Sequence, residues 1–169
     1  TEEALLKKDD FRSSAAHSIA SAIKEVYPLS STPSKLTMIM GEGKATLEQM
    51  VSFALKGNPK PLLPYCSVEE LAKMFIEEAQ IEGVRADVAF AQSLKETGYF
   101  RYGGIVLPDQ NNYAGIGALN NNAQGDAAKF ESPRIGVRAQ IQHLKAYAST
   151  EPLKLACKDP RFNLVKRGC

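Results

Sequence analysis

Apolar residues recur along this chain at helical spacing, broken by clusters of Pro, Gly, Ser and Asn. Residues 13–27 put Ala16, Ile19, Ala20, Ile23 and Tyr27 on one face and stop at Pro28, which predicts an amphipathic helix. The Pro- and Ser-rich stretch 28–37 has no period and reads as a linker. Thr46 opens a second helix as Thr-x-x-Gln with Gln49; it carries Leu47, Met50, Val51, Ala54 and Leu55 and ends at Gly57, before the break at 58–61. Ser67 and Glu70 form a capping box for a third helix, with Val68, Leu71, Ala72, Phe75, Ile76 and Ala79 preceding Gly83. Residues 87–97 form a fourth, with Asp87 as the expected cap and Gly98 as the terminator. Another follows Gly136, with Val137, Ile141, Leu144 and Ala148 on its apolar side, and a short one is expected near 152–157. Between these, 99–134 lacks periodicity and reads as loops with a short hairpin.

This pattern predicts a mainly α protein. With 169 residues there is enough chain for a core that needs no disulfides. The 21 basic and 19 acidic residues are interspersed and sum to +2, which argues against a nucleic-acid surface. No apolar run approaches the length of a membrane span, so no membrane insertion is expected. Cys66, Cys157 and Cys169 are too scattered for a disulfide framework, and no cluster has metal-ligand spacing, so neither a metal nor a cofactor is expected. The chain opens on Thr1 without a signal-peptide core, and any export signal is expected to lie outside it.

Several chemistries fail on their residues. GEGK at 41–44 lacks the earlier glycine of a phosphate loop, since Met38 stands there, and no Gly-x-Ser-x-Gly elbow occurs. His17 and His143 lie on predicted helices with no nucleophile pattern nearby. Carboxylates remain, and Glu96 falls in a helix's last turn. Unpaired carbonyls there disfavour an ionised side chain, and the apolar DVAFAQSL before it implies a partly desolvated wall; both raise a carboxyl's pKa. A protonated carboxyl at neutral pH is what glycoside hydrolysis requires of its proton donor. The commonplace alternative is a solvated glutamate, and position alone does not separate the two.

Three motifs do. Residues 91–98 (AQSLKETG), 110–117 (QNNYAGIG) and 135–144 (IGVRAQIQHL), in this order and spacing, resemble the glucosaminidase family of bacterial autolysins over roughly 65–168. The resemblance implies a lysozyme-like helical domain at 65–169, a small loop or β-hairpin region beside its groove, and hydrolysis of the peptidoglycan bond that follows N-acetylglucosamine. Residues 1–64 would then be a helical N-terminal extension and linker. The family's acid lies in the Glu-Ser/Thr-Gly motif matched by Glu96-Thr97-Gly98, and its Asn-Asn-x-x-Gly-Ile segment lines the groove, which assigns substrate contacts to Asn111, Asn112, Tyr113, Gly115 and Ile116. Gln92 and Tyr99, flanking the acid, join that set. Tyr113 is the ring expected on a sugar face, although a core tyrosine has the same composition. Arg138 reads as a surface arginine and His143 as a packing or surface histidine.

A second carboxylate is expected from the loop region, where Asp109, Asp126 and Glu131 are available; the family's habit of placing it after the Asn-Asn motif favours Asp126 or Glu131. The substrate's own acetamido group is an alternative nucleophile. A monomeric, secreted, wall-acting enzyme is thus expected, with a muramidase or lytic transglycosylase as runner-up. An inactive wall-binding or assembly module is a third reading, motivated by the unassigned second carboxylate and by a family similarity that would normally continue past Cys169.

Overall fold

A computed structural model of the chain describes residues 38–118 and 123–165; the helix expected at 13–27 and the linker at 28–37 lie outside them. The described helices are α1 (Leu47–Gly57), α2 (Val68–Glu82), α3 (Ala86–Glu96), α4 (Pro133–Ala148) and the short α5 (Phe162–Val165), with a 3-10 turn at Pro108–Gln110. The architecture is mainly α and of the lysozyme-like helical class. Among the described residues no strand forms, and the only β pairing is the bridge between Met40 and Val84; the described part of 99–132 holds no hairpin strands.

Both capping boxes are present: Thr46 and Gln49 exchange bonds at the start of α1, as do Ser67 and Glu70 at the start of α2. Asp87 departs from expectation. The cap position of α3 is Arg85, and Asp87, inside the first turn, instead gathers the Lys44 and Val88 N–H groups and the Arg85 guanidinium. A carboxylate there also complements the positive end of the helix.

α3 is the central helix, with Ala86, Val88, Ala89, Phe90, Ala91 and Leu94 buried on nearly all sides, as a helix apolar all round must be. α2 packs on α1, α3 and α4, and the main core runs from Met50 and Ala54 in α1 to Leu144 in α4, joining residues on both sides of position 64. A closed ring of aromatic contacts lies within it: Phe75 with Phe90 (5.5 Å), Phe90 with Phe100 (6.1 Å), Phe100 with Tyr113 (6.3 Å) and Tyr113 with Phe75 (6.4 Å). The ring ties α2, α3, the turn after α3 and the glycine-bearing loop into one unit.

The buried stripe of α2 does not stop at apolar residues; it continues through Glu78 and Glu82. Glu78 meets Arg138 (2.8 Å) and Arg134 (3.2 Å), so Arg138 is a partner in a buried ion pair and not a surface arginine. Glu82 meets Lys145 (2.9 Å), both fully buried, and accepts the N–H groups of Lys154 and Leu155. Gln142 adds bonds to the Ala156 carbonyl and the Lys158 N–H. These contacts hold 152–158 extended across α2 and α4, so the short helix expected at 152–157 is absent and the last helical turn starts at Phe162. His143 packs edge-on against Tyr147 and bonds Asp159 at 2.8 Å.

Candidate active site

Glu96 is the last residue of α3 and is exposed. Protein packed around its carboxyl desolvates it and pushes its pKa up, opposed by the charge of Lys95. Among the described residues no hydrogen bond or ion pair engages the carboxyl, so it is free to give a proton to a ligand.

The backbone after Glu96 is unusual. Gly98, Tyr99 and Phe100 occupy consecutive left-handed conformations (φ 58, 59 and 58°), and Tyr102 is a fourth (φ 58°). Each costs a side-chain-bearing residue about 1–2 kcal/mol, so the turn persists only where surrounding bonds enforce it. They do. The Thr97 carbonyl accepts from Arg101 and Tyr102, and the Thr97 hydroxyl bridges Ser93 and Phe100. Asn58 donates to the Tyr99 carbonyl at 2.8 Å, the Leu62 N–H donates to that of Phe100 at 2.9 Å, and Arg101 reaches the carbonyls of Gly98 and Gly57. Gly57 lies directly under the Tyr99 ring, where an added Cβ would sit 2.1 Å from it, so its role is this close approach as much as ending α1. The segment 57–62 thus clamps the turn that carries the acid. Nothing in its Pro-rich sequence signals this, because the bonds come from residues about 40 positions apart.

The second motif is a polar ladder. Gln110 donates to the carbonyls of Gly125 and Ala127, Asn111 to that of Phe130, and Asn112 to those of Ile116 and Ala128. The Asn112 oxygen takes the Ile116 N–H, so its amide is fully used inside the loop. Asn111, Asn112, Tyr113 and Ile116 are all buried. The expectation that Tyr113 stacks on a sugar is therefore corrected: its ring is 2% exposed, between Phe75 and Phe100, with its hydroxyl on Asn111. Asn112 likewise has no donor or acceptor left to offer a sugar. Gly115 adopts φ +64° inside this turn. The third motif supports the second, since a Cβ on Gly136 would stand 1.8 Å from the Asn111 carbonyl; only glycine lets the loop settle on α4.

The remaining expected residues sit apart. Gln92 is half-buried on α3 and accepts from Gln140 at 2.9 Å; Tyr99 is half-buried beside Phe53. Asp126 is exposed and caps its own turn through the Ala123 N–H. Glu131 pairs with Lys158 at 3.6 Å and lines a shallow cavity of about 420 Å³ with Phe130, Ile135 and Pro160. Asp109 is taken up by Lys129 at 2.9 Å. Cys66 is no nucleophile, because burial, reinforced by Glu70, pushes its thiol up to about 11.

A carboxyl of raised pKa at the end of a central helix, without a partner among the described residues, has the properties that glycoside hydrolysis asks of a proton donor. The comparison with known families agrees: the glucosaminidase family, described as mannosyl-glycoprotein endo-β-N-acetylglucosaminidase, matches residues 72–164, just over half of the chain. The protein belongs to this family. A relative from Borreliella burgdorferi, described as an uncharacterized protein, is 44% identical over 133 residues, 79% of this chain and 63% of its own length. The chain thus spans less than two thirds of that relative. No solved structure matches it. No described helix is long and apolar enough to cross a membrane.

Proposed function

We propose that this protein is a peptidoglycan hydrolase that cleaves glycan strands after N-acetylglucosamine, with Glu96 as general acid. The observation that carries this reading is the placement of Glu96 itself: exposed at the end of α3, packed by protein closely enough to raise its pKa, and without a partner among the described residues. Protonated Glu96 gives its proton to the bridging oxygen as the glycosidic bond breaks, and the sugar develops oxocarbenium character. Gln92 and Tyr99, which keep some exposure beside the acid, contact the substrate directly. Asn111, Asn112, Tyr113 and Ile116 act from behind, as the buried wall that shapes the loop, and Gly115 forms its turn. Asp126 and Glu131 are the carboxylates offered for activating water, and substitution of each by its amide separates them. The enzyme acts as a monomer on the bacterial cell wall, outside the cytoplasm.

Zymography on peptidoglycan is the direct test. Wild type should clear the gel and Glu96→Gln should not, and the released fragments should carry new reducing ends on N-acetylglucosamine. A mutant that clears as well as wild type removes Glu96 as the acid. Fragments ending in reducing or anhydro muramic acid replace the reading with a muramidase or transglycosylase.

A further inference from the structure

Gln140, on α4, is fully buried, and its Nε2 donates to two acceptors, the Ala89 carbonyl and the Gln92 Oε1, each at 2.9 Å. A backbone carbonyl can only accept, so Ala89 dictates which end of the Gln140 amide faces α3. Gln92 must then present its oxygen to Gln140; turned the other way, two amino groups would face each other. The consequence is that the Oε1 of Gln140 is held in the interior with no partner. Orphaned buried carbonyls are rare and call for an explanation. Here the amide that leaves its own oxygen unsatisfied is the one that decides how Gln92 is presented.

Gln92 and Glu96 are four residues apart on α3 and share one face of it. With its oxygen committed, Gln92 leaves both N–H bonds of its Nε2 for the outside, and no described residue takes them. We infer that Gln140 is a positioning residue that locks the Gln92 amide in its donor-outward orientation, one helical turn from the acid, to receive the acetamido carbonyl of an N-acetylated sugar. The inference rests on the hydrolase reading above and names the chemical group that its site reads. Of the neutral groups on such a glycan, the amide carbonyl is the strongest acceptor, and a site offering only donors there discriminates against a sugar whose acetamide has become an ammonium.

The test measures kcat and KM on insoluble peptidoglycan and on the same material after chemical de-N-acetylation, for wild type, Gln92→Leu and Gln140→Leu. On acetylated glycan both variants should raise KM about tenfold and leave kcat within about twofold. On de-N-acetylated glycan wild type should show the same weakened KM, and the variants should lose nothing more. Gln140→Leu with a wild-type KM, or equal losses on both glycans, overturns the proposal. A purely structural Gln140 would lower Tm without this substrate dependence; if Gln140→Leu does not fold, Gln140→Met serves in its place. Binding of the same variants in a Glu96→Gln background, read by sedimentation with either glycan, gives the discrimination without turnover. Loss of the hydrolase reading would therefore appear as turnover that survives Glu96→Gln, and loss of this proposal as binding indifferent to acetylation.

Discussion

Glu82 and Glu96 are the last residues of consecutive helices, α2 and α3, and the two ends have opposite fates. At both, the helix carbonyls disfavour a negative charge. For Glu82, burial pushes the pKa up as well, but the Lys145 ammonium and the Lys154 and Leu155 N–H groups outweigh it and hold the carboxyl below its usual range. For Glu96, burial acts against the single opposing charge of Lys95 and wins. One glutamate is held in its ionised form as a staple for the C-terminal segment, and the other is the carboxyl we propose as the proton donor. What separates them is the company each keeps in three dimensions.

Exchanging each for glutamine should break the comparison most visibly. Glu96→Gln should lower glycan hydrolysis by about 10³-fold, the usual weight of a general acid. Its Tm at neutral pH should not fall, because the change removes a charge that the fold disfavours. Glu82→Gln should do the reverse: it strands the buried Lys145 ammonium and should cost about 3–5 kcal/mol in denaturant unfolding, with kcat retained by the folded fraction. Equal stability losses in the two variants would end the distinction. Asn112→Ala comes next. It takes the donor from the Ala128 carbonyl and the acceptor from the Ile116 N–H, leaves the Ile116 carbonyl with only the Ala128 N–H, and should cost about 2–3 kcal/mol with KM little changed if Asn112 is a wall and not a contact.

Asn58→Ala should have a smaller effect. Losing its bond to the Tyr99 carbonyl should cost about 1–2 kcal/mol and lower kcat more than it changes KM, because the strained turn then holds Glu96 less firmly. Unchanged kcat would confine the clamp to stability. The mildest test is pH. Glu78, Glu82 and Asp87 have folded pKa values below their ordinary ones, so their stabilisation is present above about 4.5 for the glutamates and 3.8 for Asp87, and is lost as pH falls through the lowered values. Glu96 is raised, so the active protonated form persists above the ordinary glutamate value and is lost as pH rises through the folded one. Activity should therefore decline on the alkaline side while Tm declines on the acid side, and a coincident decline would contradict the assignment.

Much of this was legible in order along the chain. The two capping boxes, the stripes of α2 and α4 and the stop at Gly98 are local signals, carried by residues within four or five positions of each other, and they reappear as helices. The three motifs likewise marked the segments that meet around α3. Roles within the motifs were harder to read. Asn112 and Tyr113 have the chemistry of sugar contacts, and the same groups serve equally to satisfy a loop's carbonyls or to close an aromatic ring. Arg138 looked like a surface charge because its partner Glu78 is 60 residues away.

The sequence alone therefore determined the helices α1 to α4 in outline, the caps of α1 and α2 and the place of a candidate acid, since each depends on periodicity and on bonds to near neighbours. Only the tertiary structure decided which glutamate is surrounded by cationic and N–H donors, which polar residues are spent on the fold, and that Asn58 and Gln140 bond to the turn after α3 and to α3 itself from a distance. Those outcomes depend on desolvation and on the geometry of distant partners, and neither is encoded in local spacing.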